Sequence, residues 1–345
     1  MWLFLVSEVS LVSFSHIFSR PKYMPINLLR QIFRKLKQNK LNLAAMRSEH
    51  QLLLAAHREL RNECTTHDVT GIVFSMDRAL QLHALLGSYV DLVEKHPKLT
   101  VIYRASSEAH DAAYHEVFQE YSTLVDSRRQ YTRQDFKALL IDALSERVSK
   151  HVFFLVDDNM FVEPVDLNAF ARQASAYCVP TLRMGQNLSR SYTLQRSQAV
   201  PYLCRLESNT DEPLRTWLWK CGELDWNYPL SVDGHIFQRA EILAVARTLD
   251  FDSPNHFEDQ LQKFQGTFIW RLGLCYAKSR LINIPYNRVQ TDIENLHGSV
   301  HQEDMLRMWN EGYRIDRKSY YGIVNESAHQ EFPLRVIRQA EIGRK

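Results

Sequence analysis

The chain has 345 residues, 45% of them hydrophobic, which suits one large globular domain with an appendage. A net charge of +2 and a pI near 8.2 give no global electrostatic pull toward nucleic acid or acidic partners. The five cysteines include no CxxC pair, which excludes a disulfide framework or a zinc knuckle and suits a reducing compartment.

Residues 1–18 are apolar but are interrupted by Glu8 and several serines and lack a basic leader. They fall short of the roughly 20 residues a spanning helix needs, so neither a signal peptide nor a membrane span is expected. Between residues 20 and 40, Arg20, Lys22, Arg30, Arg34, Lys35, Lys37 and Lys40 face no acid, while Leu29, Ile32, Phe33 and Leu36 share a helical face. Such a basic amphipathic helix either lies on an anionic membrane surface or packs on the body with a solvated basic face. Residues 1–65 are read as this helical arm.

From Val69 the chain alternates β-rich runs with helical segments. "VTGIVFS" precedes "RALQLHALLGSYVDLVEKH", "LTVIYRAS" precedes "EAHDAAYHEVFQEY", "STLVDS" precedes "TRQDFKALLIDALSERVSK", and "HVFFLVDDNMFV" closes the series. Strands joined by crossover helices lie parallel, so the loops Ser75–Arg78, Arg104–Ser107 and Asp157–Asn159 should converge on one sheet edge. Beyond Tyr177 the alternation fades into a stretch rich in Trp, Tyr and Asn. The expected organisation is a nucleotide-binding half at 66–176, a substrate-shaping half at 177–315, and a tail at 316–345.

A single strand-end Asp is often a turn former or a helix cap. Asp157 and Asp158 in succession after "VFFLV" put charge against an apolar wall, which is costly without a compensating cation. Hard oxygen donors without a nearby Cys favour Mg²⁺ or Mn²⁺, ions that commonly serve diphosphates.

The strand ends "FSMDRALQLHALLGSY", "IYRAS" and "VDDN" together resemble the nucleotide-sugar half of GT-A glycosyltransferases, with bacterial family 2-like enzymes the nearest likeness, over roughly residues 69–300. The fold implied is an α/β, nucleotide-diphosphosugar transferase-like mixed sheet flanked by helices, with the N-terminal helical extension. By the resemblance, Asp157, Asp158 and Asn159 form a DxD-type metal motif, although the third position is Asn, a poorer ligand. Ser75, Asp77, Arg78 and Arg104 would meet the nucleotide, with helix capping and internal ion pairing as the plainer roles of Asp77 and Arg78.

In the second half the resemblance implies sugar contacts from "LDWNYPLSVDGHIF": Trp226 and Tyr228 as stacking faces and Asp233 as a hydroxyl partner, though aromatics are equally ordinary core. His235 in "GHIF" reads as a satisfied core histidine. "NHFEDQL" is similar to the acidic element that opens a helix in inverting enzymes. Glu258 is the expected general base and Asp259 the alternate, since neighbours on a helix point about 100° apart. His297, in "ENLHGSVH", is the candidate C-terminal metal histidine, with His301 next and the acids after it free to cap a helix.

The activity implied is metal-dependent, inverting hexosyl transfer from a nucleotide-sugar donor to a glycan or lipid-linked acceptor in polysaccharide biosynthesis, in the cytoplasm or peripherally on the membrane's inner face. A nucleotidyltransferase acting on sugar phosphates is one alternative, although "FSMDRALQ" lacks a Gly- and Lys-rich loop. A non-catalytic glycan-binding relative, consistent with Asn159, is the other. No nucleic-acid partner is expected.

Overall fold

The computed structural model describes residues 26–62, 66–146, 149–208, 210, 212–287 and 300–339. Two compact units divide the chain, Met1–Ser48 and Glu49–Lys345. Helix α1 (Ile26–Asn62) provides the described part of the first unit, and there Arg34, Lys35, Lys37 and Lys40 are exposed. The side chains of the stripe Leu29, Ile32, Phe33 and Leu36, and all of residues 1–25, lie outside the described ones. From Glu49 onward the helix belongs to the second unit: Leu53 and Ala56 are buried, and Glu49 accepts a 2.8 Å hydrogen bond from Thr267. The described part of the stretch read as a helical arm over 1–65 is one helix up to Asn62, and the division between the two units falls within it, after Ser48. Among the described residues no helix is long and apolar enough to cross a membrane.

The second unit opens with β1 (Thr66–Met76), α2 (Ala79–Leu92), β2 (Leu99–Arg104), α3 (Glu108–Glu120), β3 (Val125–Arg129), α4 (Asp135–Glu146) and β4 (Ser149–Val156). These are the three expected β-α repeats and the fourth strand that closes the series. The sheet order is Ile236–Gln238, β4, β1, β2, β3; β1 to β4 are mutually parallel and the strand Ile236–Gln238 runs antiparallel to β4. Both faces of β1 and β4 are covered, which is why their sequences read as nearly continuous Val, Ile, Phe and Leu. Val73, Leu85, Val101 and Tyr114 belong to the core on one face, and Phe74, Phe136, Phe154 and Phe257 to the core on the other. Gly71 lies in the middle of β1 because a Cβ there would come within 2.3 Å of Leu99 and 2.5 Å of Phe153.

Past residue 177 the βαβ pattern gives way to a smaller sheet, ordered Cys178–Pro180, Leu272–Cys275, Leu214–Leu218, Cys204–Leu206. Residues after 316, expected as a tail, instead run back over the body. Gly322 N–H bonds to Val162 O at 2.8 Å, Ser189 N–H to Glu326 O at 3.0 Å and Asn283 N–H to Ala328 O at 3.0 Å, and Asn325, Ser327 and Ala328 are buried.

Candidate active site

A cavity of about 920 Å³ opens at the C-terminal ends of the parallel strands. Ser75, Arg78, Arg104, Asp157 and Asp158 line it from the first half, and Arg183, Tyr228, Asp233, Glu258, Asp259 and His329 from the second. The predicted convergence of strand ends is present, because parallel register carries the ends of β1, β2 and β4 to one edge: Phe74 pairs with Val156, and Met76 with Arg104.

The two adjacent aspartates share a cation supplied by the chain itself. Arg78 Nη1 donates to Asp157 Oδ1 at 2.9 Å and to Asp158 Oδ2 at 3.0 Å, and its Nη2 donates to the carbonyl of Asn287. The turn after β1 aims this guanidinium. Asp77 adopts a left-handed backbone, φ 52°, which Asp tolerates better than most residues, and the Arg78 N–H is taken by the Tyr114 hydroxyl at 3.0 Å. Asp157 accepts further bonds from Ser75 Oγ at 2.8 Å and the Met76 N–H at 3.1 Å, while Asp158 accepts from Asn283 Nδ2 at 2.8 Å. Burial acts to weaken the Arg78 charge, but Asp157 and Asp158 outweigh it and raise its pKa.

Asn159 turns inward. Its Oδ1 accepts from the Val156 N–H at 2.9 Å, closing the turn, and its Nδ2 donates to Asp233 Oδ1 at 2.5 Å. Only 1% exposed, with both amide atoms engaged, it is a brace for Asp233 and not a metal ligand as the DxD reading had it. Asp233 also takes Arg183 Nη1 at 3.1 Å and lies 3.2 Å from His329 Nε2. Burial opposes the Asp233 charge, but His329, Arg183 and Asn159 hold the carboxyl well below its ordinary range. Burial likewise opposes protonation of His329, and Asp233 reverses that, raising its pKa.

Across the cavity, Ser253 Oγ caps the helix Pro254–Leu261 by accepting from the His256 N–H, as its Ser-Pro start predicts. Its first turns carry Glu258 and Asp259, and both reach the cavity. Glu258 accepts from the Val232 N–H at 3.4 Å and from the Tyr228 hydroxyl. Burial pushes its pKa up against the pull of Arg183, giving a carboxylate that takes a proton more readily than a surface one.

Other expected residues lie elsewhere. Trp226 is fully buried, its ring 4.8 Å from that of Trp217 and its indole N–H on Leu188 O at 3.2 Å, so it is core and offers no face to a sugar. Asp77 is buried beneath the first loop, accepting from the Ser106 N–H at 2.8 Å, and braces the neighbouring loop without lining the cavity. His235 is a core histidine, as read: it stacks on Trp219, contacts Tyr228 O, and burial lowers its pKa to about 3. His301 caps the helix Gln302–Asn310. His297 lies outside the described residues. Among the described residues the histidine at the cavity is His329, which sequence reasoning missed along with Arg183, Asn283 and Tyr114. No local pattern marks "ESAHQEF"; only the return of the chain after residue 316 brings it there.

Seven carboxylates, four guanidinium groups and His329 line the cavity, so a diphosphate meets an excess of negative charge unless it brings a cation. Among the described residues no three His, Cys, Asp or Glu side chains are grouped to hold a metal alone. An ion carried on substrate phosphates needs only one or two carboxylates. Asp158 suits that role: burial, against Arg78 and with Asp157 and Asp233, pushes its pKa up to about 6, and Asn283, bonded to it, has a buried Oδ1 with no partner among the described residues.

No protein-family model matches the chain, and no curated protein matches it. Solved structures are similar in fold. The S. aureus TarS fragment 1-349 in complex with UDP aligns with TM-score 0.40 and 16% identity over 62% of this chain and 59% of that one, less than two thirds of its length. A nucleotidyl transferase from Methanothermobacter aligns with TM-score 0.37 and 13% identity, over 70% of this chain and 96% of that one. The mannosyltransferase PcManGT from Pyrobaculum calidifontis, in complex with GDP-Man and Mn²⁺, aligns with TM-score 0.27 and 16% identity over 43% and 46%.

Proposed function

We propose that the protein is a glycosyltransferase that moves a hexosyl group from a nucleotide-sugar donor to a glycan or lipid-linked acceptor, with inversion. The observation that carries this is one cavity bounded on one wall by the Asp157–Arg78–Asp158 cluster at the parallel strand ends and on another by the buried carboxylate of Glu258. In this reading Arg78 and Arg104 face the diphosphate, and Glu258 takes the proton of the attacking hydroxyl, with Asp259 beside it. Tyr228 and the Val232 N–H hold the Glu258 carboxylate in place. No side chain needs to act as a covalent nucleophile.

Mg²⁺ or Mn²⁺ arriving with the donor would be held by Asp158 with Asn283 and His329 nearby, and would cancel the charge that grows on the leaving diphosphate. Asp233, 3.2 Å from His329 Nε2, favours the protonated form of that ring on this wall. Asp233 orients His329 and Arg183. The exposed lysines and arginines of α1 before Glu49 would hold the enzyme against an anionic membrane surface on the cytoplasmic side, beside lipid-linked acceptors.

The test is turnover and thermal shift with a panel of UDP-, GDP-, CMP- and dTDP-sugars, with and without Mn²⁺, in wild type and Glu258→Gln. Wild type is expected to give a stabilising shift requiring both metal and nucleotide, and to release nucleoside diphosphate. Glu258→Gln should keep the shift and lose transfer. Equal loss of binding and transfer would remove Glu258 as the base, and nucleotide transfer onto a sugar phosphate would replace the proposed activity.

A further inference from the structure

We infer that Arg78 is a resident counter-ion that exchanges: it neutralises Asp157 and Asp158 in the protein alone, then releases Asp158 to a metal and pairs with the diphosphate that brought it. This rests on the reading that the cavity takes a metal-bearing diphosphate.

The hydrogen bonds place the exchange at Asp158. Among the described residues, Asp157 keeps Ser75 Oγ and the Met76 N–H when Arg78 leaves, whereas the Asp158 carboxylate keeps only Asn283 Nδ2. Asp157 is thus the fixed member of the pair and Asp158 the one free to change partner. The guanidinium is not at its best in the resting arrangement: Nη1 and Nη2 are bonded, but Nε is buried and has no acceptor among the described residues. A phosphate oxygen offers a further acceptor for this fork of donors.

Charge makes the exchange concerted. A divalent ion arriving alone at Asp158 meets a guanidinium 3.0 Å from the same carboxylate and must displace it with no anion to receive it. A diphosphate arriving alone meets the carboxylate excess of the cavity wall. Together, each relieves the other, because the phosphate takes the released guanidinium while the ion takes the released carboxylate. Metal and diphosphate therefore bind with positive coupling, and Arg78 is the group through which they couple.

The experiment follows Mn²⁺ by water-proton relaxation enhancement, with inorganic pyrophosphate as the anion. For wild type, pyrophosphate is expected to raise Mn²⁺ affinity at least about tenfold. Arg78→Met should bind Mn²⁺ alone at least about tenfold more tightly than wild type, since two carboxylates lose their cation, and adding Asp158→Asn should remove that gain. Equal wild-type affinity with and without pyrophosphate overturns the exchange, and this measurement needs no variant to fold. Absence of a gain in a folded Arg78→Met also overturns it. Coupling without turnover of any nucleotide sugar leaves the exchange standing and removes the transferase reading; turnover without coupling does the reverse.

Discussion

Asn159→Asp would restore an acidic third position to the DxD-type motif, and on the sequence pattern alone it should strengthen metal binding. The structure predicts harm instead. Asn159 Nδ2 donates to Asp233 Oδ1 at 2.5 Å, and both residues are buried. In the variant a carboxylate oxygen replaces the donor. Two unit charges at that separation repel by about 7 kcal/mol at an effective dielectric of about 20. Holding a proton on one carboxylate removes part of this, leaving a net cost at pH 7 on the order of 3–4 kcal/mol. In a domain of this size that corresponds to a fall of roughly 10 °C in Tm. The sign follows from linkage: the folded-state pKa of the new carboxyl lies above its unfolded value. The cost is therefore absent below about pH 4, where both states are protonated, and grows as pH rises through the folded value. Differential scanning fluorimetry from pH 4 to pH 8 measures it. A variant as stable as wild type at pH 7, or one that binds Mn²⁺ more tightly, would refute the bracing role of Asn159.

Three other outcomes test the remaining assignments. Tyr228→Phe removes a hydroxyl that donates to Glu258, so the base becomes harder to deprotonate and the acid limb of the rate profile moves to higher pH; an unmoved limb argues against Glu258 as the base. Trp226→Ala should cost about 3–5 kcal/mol in urea unfolding, whereas Trp226→Phe should retain sugar kinetics; selective loss of acceptor affinity in Trp226→Phe would return Trp226 to the sugar site. Deleting residues 1–48 should leave the second unit folded and abolish binding to anionic vesicles, and vesicle binding that persists would place the membrane contact elsewhere.

The sequence made the parallel half readable because β1, β2 and β4 are buried on both faces and α3 and α4 bury one face each, so burial and element type leave the same trace. Ser253 and Pro254 announced the helix that carries Glu258 for a similar reason: capping is local chemistry. The charge problem at Asp157 and Asp158 was also legible, but its resident solution was not. Arg78 lies about 80 positions upstream, and only the register of β1 against β4 brings it into contact. Trp226 and Tyr228 are two residues apart and equally aromatic; the short 3-10 turn between Leu224 and Asn227 buries the first and leaves the second at the cavity. Asn159 was misread because a polar residue beside two acids looks like a ligand whether it points out at an ion or in at a brace.

The cavity takes its histidine from residue 329, 172 positions after Asp157, on a segment that is laid down over strands formed much earlier in the chain. During synthesis the parallel sheet can assemble as soon as β4 has left the ribosome, while the wall bearing His329 waits for the last stretch of translation. A nascent chain can thus hold Asp157, Asp158 and Glu258 and still lack a finished cavity, and proteolytic clipping near residue 316 would cut His329 off from them.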